Sequence, residues 1–111
     1  MADVLTKLFV IIQSREHAKP DGSYVASLFH KGEDYILKKI GEEATETIIA
    51  GKGSNKQELA KEIADLWFHS LVLLRYEGLD LEDVLRELES RFGKSGIEEK
   101  KQRKNKTDNS V

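Results

Sequence analysis

The chain has no cysteine, a single proline and few aromatic residues, 7% of its 111 positions. Without cysteine there is no disulfide, no thiolate zinc site and no iron-sulfur cluster, a pattern that suits a reducing compartment. One proline and 34% charged residues fit helices and suit a sandwich or barrel poorly. No stretch approaches the roughly 20 apolar residues that cross a bilayer. The start, Met1-Ala2-Asp3-Val4, lacks the basic region and apolar run of a signal peptide. The expected setting is cytoplasmic, with no membrane partner. A chain of this length is expected to form one domain with one modest core, which oligomerisation would help to stabilise.

The net charge of −2 conceals an asymmetry. Residues 1–93 carry 12 Lys and Arg against 17 Asp and Glu, a net of −5, whereas residues 94–111 carry 6 against 3, a net of +3. The basic run Lys100-Lys101-Gln102-Arg103-Lys104 has no aromatic side chain to stack on a base. It reads as a solubilising, largely disordered polar tail on a folded domain of residues 1–93, and no nucleic-acid partner is expected.

Within residues 1–93 the apolar spacing is helical throughout. Leu5, Leu8, Phe9 and Ile12 define a first helix over residues 3–16. Lys19-Pro20-Asp21-Gly22 is a turn, Ser23 can cap a short helix carrying Val25, Leu28 and Phe29, and Gly32 ends it. Residues 33–50 place Ile36, Leu37, Ile40, Ala44 and Ile48 on one face and three glutamates on the other, before a loop over residues 51–55. Residues 56–77 form a long helix, apolar on nearly every side around Ile63, Leu66, Trp67, Phe68 and Leu71 to Leu74, which reads as buried. Gly78 stops it, and Asp80 begins a last helix with Val84, Leu85, Leu88 and Phe92. The fold class is all-α, with four to five helices.

Five carboxylates stand out: Glu42, Glu43 and Glu46 on one long helix, Glu62 and Asp65 on the next. At about 100° of turn per residue, each set shares a stripe, and the two stripes can face each other across a helical hairpin. Crowded carboxylates repel unless a cation stands between them, and hard divalent ions such as Mg²⁺ bind carboxylate and phosphate oxygens. A solvated helix face explains the first set equally simply. The second set lies in an apolar helix, where an unpaired charge is costly and a cation is the economical partner. Lys39, one turn before Glu43, can meet a phosphate or pair with that glutamate. His69, one turn after Asp65, is a satisfied core residue or a hydrogen-bond partner to it.

These residues carry a resemblance. Ser23-Tyr24-Val25-Ala26-Ser27-Leu28-Phe29, Lys38-Lys39-Ile40-Gly41-Glu42-Glu43-Ala44-Thr45-Glu46 and Glu62-Ile63-Ala64-Asp65-Leu66-Trp67-Phe68-His69 closely resemble the phosphoribosyl-ATP pyrophosphatase family of histidine biosynthesis. The acidic pattern alone is shared with the wider all-α, MazG-like nucleotide pyrophosphohydrolases. The Ser-Tyr segment and the Lys-Lys-Ile-Gly prefix make the match specific. The resemblance implies an intertwined helical-bundle homodimer, or a higher homo-oligomer, with sites where two subunits meet. It implies hydrolysis of 1-(5-phospho-β-D-ribosyl)-ATP to the AMP derivative and pyrophosphate, with Mg²⁺ as cofactor and that nucleotide as the small-molecule partner. By motif position Glu43, Glu46, Glu62 and Asp65 are metal ligands, and Glu42 is a ligand or the base that activates water. Lys38 and Lys39 face phosphate, and Ser23 and Tyr24 the phosphoribosyl end. The length and the absence of cysteine lead to the expectation of a form without the cyclohydrolase that some members carry.

Two rivals stay open at this level: a house-cleaning pyrophosphohydrolase of ordinary or damaged nucleoside triphosphates, and a non-catalytic helical dimerisation module whose acids are merely solvated. A ferritin-like di-iron site needs Glu-x-x-His pairs, and Glu62 is followed at that spacing by Asp65.

Overall fold

The computed structural model describes residues 2–93. They form α1 (Ala2–Arg15), α2 (Tyr24–Lys31), α3 (Glu33–Lys52), α4 (Lys56–Tyr76) and α5 (Leu81–Glu89), with no strand among the described residues. The expected tail, residues 94–111, lies outside them. The chain divides into two compact units, Met1–Leu81 and Glu82–Val111.

In the first unit, α1 packs on α4 and α2, α2 packs on α3 and α4, and α3 and α4 form the most extensive pair. Ile12, Leu28, Ile36 and Val72, one from each helix, are fully buried, and Phe9, Val25 and Leu71 surround them. Each buried aliphatic side chain contributes about 1.5 to 3 kcal/mol relative to exposure, so this small core is the main cohesion between the four helices. A bidentate ion pair ties α4 to the end of α1: Arg75 donates to the two Glu16 carboxylate oxygens at 3.0 and 2.9 Å. The Arg75 hydrogen bonds hold the Glu16 carboxyl below its usual range, outweighing its partial burial.

Local signals set the helix ends. The Lys19 carbonyl accepts from Gly22 N–H at 3.0 Å, closing the expected turn. Ser23 Oγ accepts from Ala26 N–H and Asn55 Oδ1 from Glu58 N–H, capping α2 and α4. Gly32 serves both α2 and α3 with φ 97° and ψ −179°, a conformation open essentially to glycine alone.

Three expectations are corrected. Helix α3 does not stop at residue 50: it runs through Gly51 to Lys52, because Gly51 lies against Leu59 of α4 and packing overrides its poor propensity. The glutamates are not all opposite the core. Ile36 and Ala50 are buried on one stripe of α3, and that stripe carries Glu43 inward, leaving Leu37, Ile48 and Ile49 exposed. Finally, α4 is not covered all round: Trp67 is 56% exposed, and Asp65 is half-buried.

In the second unit, α5 is held along its surface by Arg86 to Asp83 at 2.7 Å, and Arg91 donates to Glu87 at 3.2 Å. Val84, Leu88 and Phe92 are exposed.

Candidate active site

Because only a short loop, including Gly53, Ser54 and Asn55, separates α3 from α4, the two helices run antiparallel and their register is fixed from the turn outward. Gly51 meets Leu59 nearest the loop, Glu46 meets Glu62 about one turn further on, and Glu43 meets His69 beyond that. Residues that share a stripe of α3 (Ile36, Glu43, Ala50) thus oppose a stripe of α4 (Glu62, His69, Val72), all buried. Polar groups occupy positions where apolar ones would hold the pair together at lower cost.

Farther from the loop, a network joins three helices. Tyr24 Oη lies 2.8 Å from His69 Nε2. His69 Nδ1 lies 3.0 Å from the Asp65 backbone carbonyl and 2.7 Å from Glu43 Oε1. Since Nδ1 faces two acceptors it carries a ring proton, and in the neutral ring Nε2 accepts from the Tyr24 O–H. The Tyr24 ring lies near-parallel to Phe68, and the His69 ring stands edge-on to Phe68. Burial raises the Tyr24 hydroxyl above its ordinary range. Burial also pushes the Glu43 carboxyl up, against the lowering pull of His69. Despite its closeness to the imidazole, Glu43 Oε1 is buried without a hydrogen bond of proper alignment. Lys39 reaches Glu42 Oε1 at 3.7 Å on the outer side of α3. Burial alone would lower the Lys39 ammonium, but Tyr24, Glu42, Tyr35 and Glu43 outweigh it and hold it raised.

Nearer the loop, Glu46, Glu58, Lys61 and Glu62 line a groove of about 560 Å³ floored by Ile49 and Ala50. Glu62, only 4% exposed, is pushed up to about 7, first by its hydrogen bond with Glu58, then by burial and by Glu46. One carboxyl of this group therefore holds a proton near neutrality when no cation is present.

The structure thus brings the predicted acids together in two pairs of neighbours, Glu43 with Asp65 and Glu46 with Glu62. It leaves Glu42 on the exposed side with Lys39, and Lys38 exposed. Ser23 Oγ is engaged as the cap of α2, and Tyr24 Oη reaches the acidic seam through His69. Sequence reasoning left out Glu58, although it stands one helical turn before Glu62, and read His69 as a core residue or a hydrogen-bond partner of Asp65, whose backbone carbonyl its Nδ1 does meet, without seeing that it links Tyr24 to Glu43. Among the described residues no three Asp, Glu or His side chains are placed to hold a single ion. The donor chemistry nonetheless fits Mg²⁺. All the candidates are carboxylate oxygens, one buried oxygen of Glu43 lacks an aligned donor, and Mg²⁺ takes one or two carboxylates with water and phosphate completing its shell.

Comparison with known proteins agrees with the pattern. Residues 5–92 match the family model described as phosphoribosyl-ATP pyrophosphohydrolase. The chain is similar to a phosphoribosyl-ATP pyrophosphatase of Methylococcus capsulatus, 58% identical over 102 residues that cover 92% of this chain and 97% of the relative. It is also similar to those of Chromobacterium violaceum, 56% identical over 92% of this chain and 94% of the relative, and Geobacter metallireducens, 54% identical over 91% and 93%.

Proposed function

The chain belongs to the phosphoribosyl-ATP pyrophosphohydrolase family, and from that membership we propose that it hydrolyses 1-(5-phospho-β-D-ribosyl)-ATP to 1-(5-phospho-β-D-ribosyl)-AMP and pyrophosphate. This is the second step of histidine biosynthesis, it depends on Mg²⁺, and it takes place in the cytoplasm. The observation that carries the reading is the burial of Glu43 and Glu62 at the seam of the α3/α4 pair, 6% and 4% exposed. Acids at such positions weaken a helical pair, and binding a cation and phosphates gives them a use.

Glu43 with Asp65 and Glu46 with Glu62 would supply the carboxylate oxygens for Mg²⁺, which when bound would neutralise phosphate oxygens and stabilise the leaving pyrophosphate. Glu42, exposed and close to Lys39, is a further ligand or the base that takes the proton of the attacking water as the bond between the α and β phosphates breaks. Lys39 and Lys38 draw the phosphates to α3. The half-exposed Tyr24 lies near Glu43 and Asp65, and with Ser23 at the start of α2 it meets the phosphoribosyl unit. A second copy of the chain covers Leu37, Ile48, Ile49 and Trp67 and closes the site against water, making the working form a homodimer or higher homo-oligomer.

The test is pyrophosphate release from phosphoribosyl-ATP with and without Mg²⁺, with dUTP and the common triphosphates alongside. Mg²⁺-dependent release from phosphoribosyl-ATP in clear preference to the others is expected. Equal release from all would favour the house-cleaning activity, and no release from any would remove the enzymatic reading.

A further inference from the structure

We propose that His69 is a positioning residue, held by the Tyr24 hydroxyl on one side and holding the Glu43 carboxylate on the other. The inference rests on the reading of Glu43 as an ion-binding group. Glu43 needs such support. Its side chain is buried, it crosses to the facing helix, and Oε1 has no aligned hydrogen bond: the imidazole is its close neighbour, and Thr47 Oγ1 donates to the Glu43 backbone carbonyl, not to the carboxylate. The imidazole 2.7 Å away limits where the carboxylate can turn.

The imidazole is itself fixed on three sides. Its Nδ1 is tied to the Asp65 carbonyl one turn back along α4, its Nε2 to Tyr24 Oη on α2, and its ring stands perpendicular to that of Phe68. At 4% exposure it has no space for another rotamer. The order of contacts, α2 hydroxyl to imidazole to carboxylate, matches the outer partners that orient metal-binding groups elsewhere. It also gives α2 a bearing on the acidic seam that does not require Tyr24 to touch the reacting phosphates.

The test uses the full-length chain with ¹⁵N-labelled histidine, which has only three histidines to assign. In the metal-free protein His69 should show the pattern of an Nδ1-protonated ring, and Tyr24→Phe, which keeps the ring against Phe68, should shift the Nε2 resonance. In pyrophosphate release from phosphoribosyl-ATP, Tyr24→Phe should raise the Mg²⁺ needed for half-maximal rate by about tenfold. His69→Leu should lower kcat by about 100-fold, and His69→Asn, which keeps a side-chain N–H near the Nδ1 position, should recover about tenfold of that loss.

An Nε2-protonated ring, or a Tyr24→Phe enzyme with parental Mg²⁺ dependence, would overturn the proposal. So would a His69→Asn enzyme no better than a folded His69→Leu. Should circular dichroism show His69→Leu unfolded, the tautomer and Tyr24→Phe decide alone. Should the parent release no pyrophosphate, the reading of the reaction falls, and the resonances still decide the contact.

Discussion

Glu62 shows what a single residue at the seam does to both stability and chemistry. Its carboxyl is raised from 4.5 to about 7, first by Glu58 and then by burial and Glu46. A raised folded-state value means a contribution to stability that is complete below pH 4.5 and lost as pH rises through about 7. In the metal-free protein Glu62→Gln should therefore melt higher than the parent at pH 8, and the difference should shrink as pH falls towards 4.5. A thermal melt series across that range checks it. The same variant should lower turnover by two orders of magnitude or more, on the order of 3 kcal/mol of transition-state stabilisation. Glu16 has the opposite sign: Arg75 lowers it, so its contribution is present above pH 4.5 and disappears below. At this scale the helical spacing of the acids is visible in the letters, and the structure brings four of them into two neighbouring pairs. The sequence was uninformative about the Tyr24 to His69 contact, since 45 residues separate the two and only tertiary packing brings them together.

Among the elements, the joint between α2 and α3 and the middle of α3 make contrasting predictions. Gly32→Ala has room for its methyl group, with Tyr76 Oη 3.8 Å away, but its φ of 97° with extended ψ is strained for any other residue. Denaturant unfolding should register a loss of about 1 to 3 kcal/mol. Gly41 lies within α3 with nothing inside 4 Å of an added Cβ, so Gly41→Ala should stabilise the isolated chain by up to ~1 kcal/mol. If a neighbouring subunit or the nucleotide approaches there, the same change should lower turnover while raising stability. The Gly32 stop and the Ser23 cap could be read from the sequence, as could the order of the helices. The rotation of α3 could not. Ile36, Leu37, Ile40, Ala44 and Ile48 suggested one apolar face, but of these only Ile36 is buried, and with Ala50 it sets a stripe that turns Glu43 inward. Apolar residues bound for another subunit look no different, in one sequence, from those bound for the chain's own core.

For the molecule as a whole, the exposed Leu37, Ile48, Ile49 and Trp67 are the apolar side chains that the proposed second copy would cover. Sedimentation at micromolar concentration should find no folded monomer. A stable one would contradict both the dimer and a site closed by a second copy. The central claim is that carboxylates from both long helices act together on one nucleotide, and it is tested most directly by pyrophosphate release from phosphoribosyl-ATP. The assay compares the parent with Glu46→Gln and Asp65→Asn at saturating Mg²⁺, with ATP as the competing substrate. The account predicts kcat/KM for phosphoribosyl-ATP at least ~100-fold above that for ATP in the parent and a loss of about 100-fold or more in each variant with helix content unchanged. Near-parental turnover in either variant, or equal use of ATP, would contradict it.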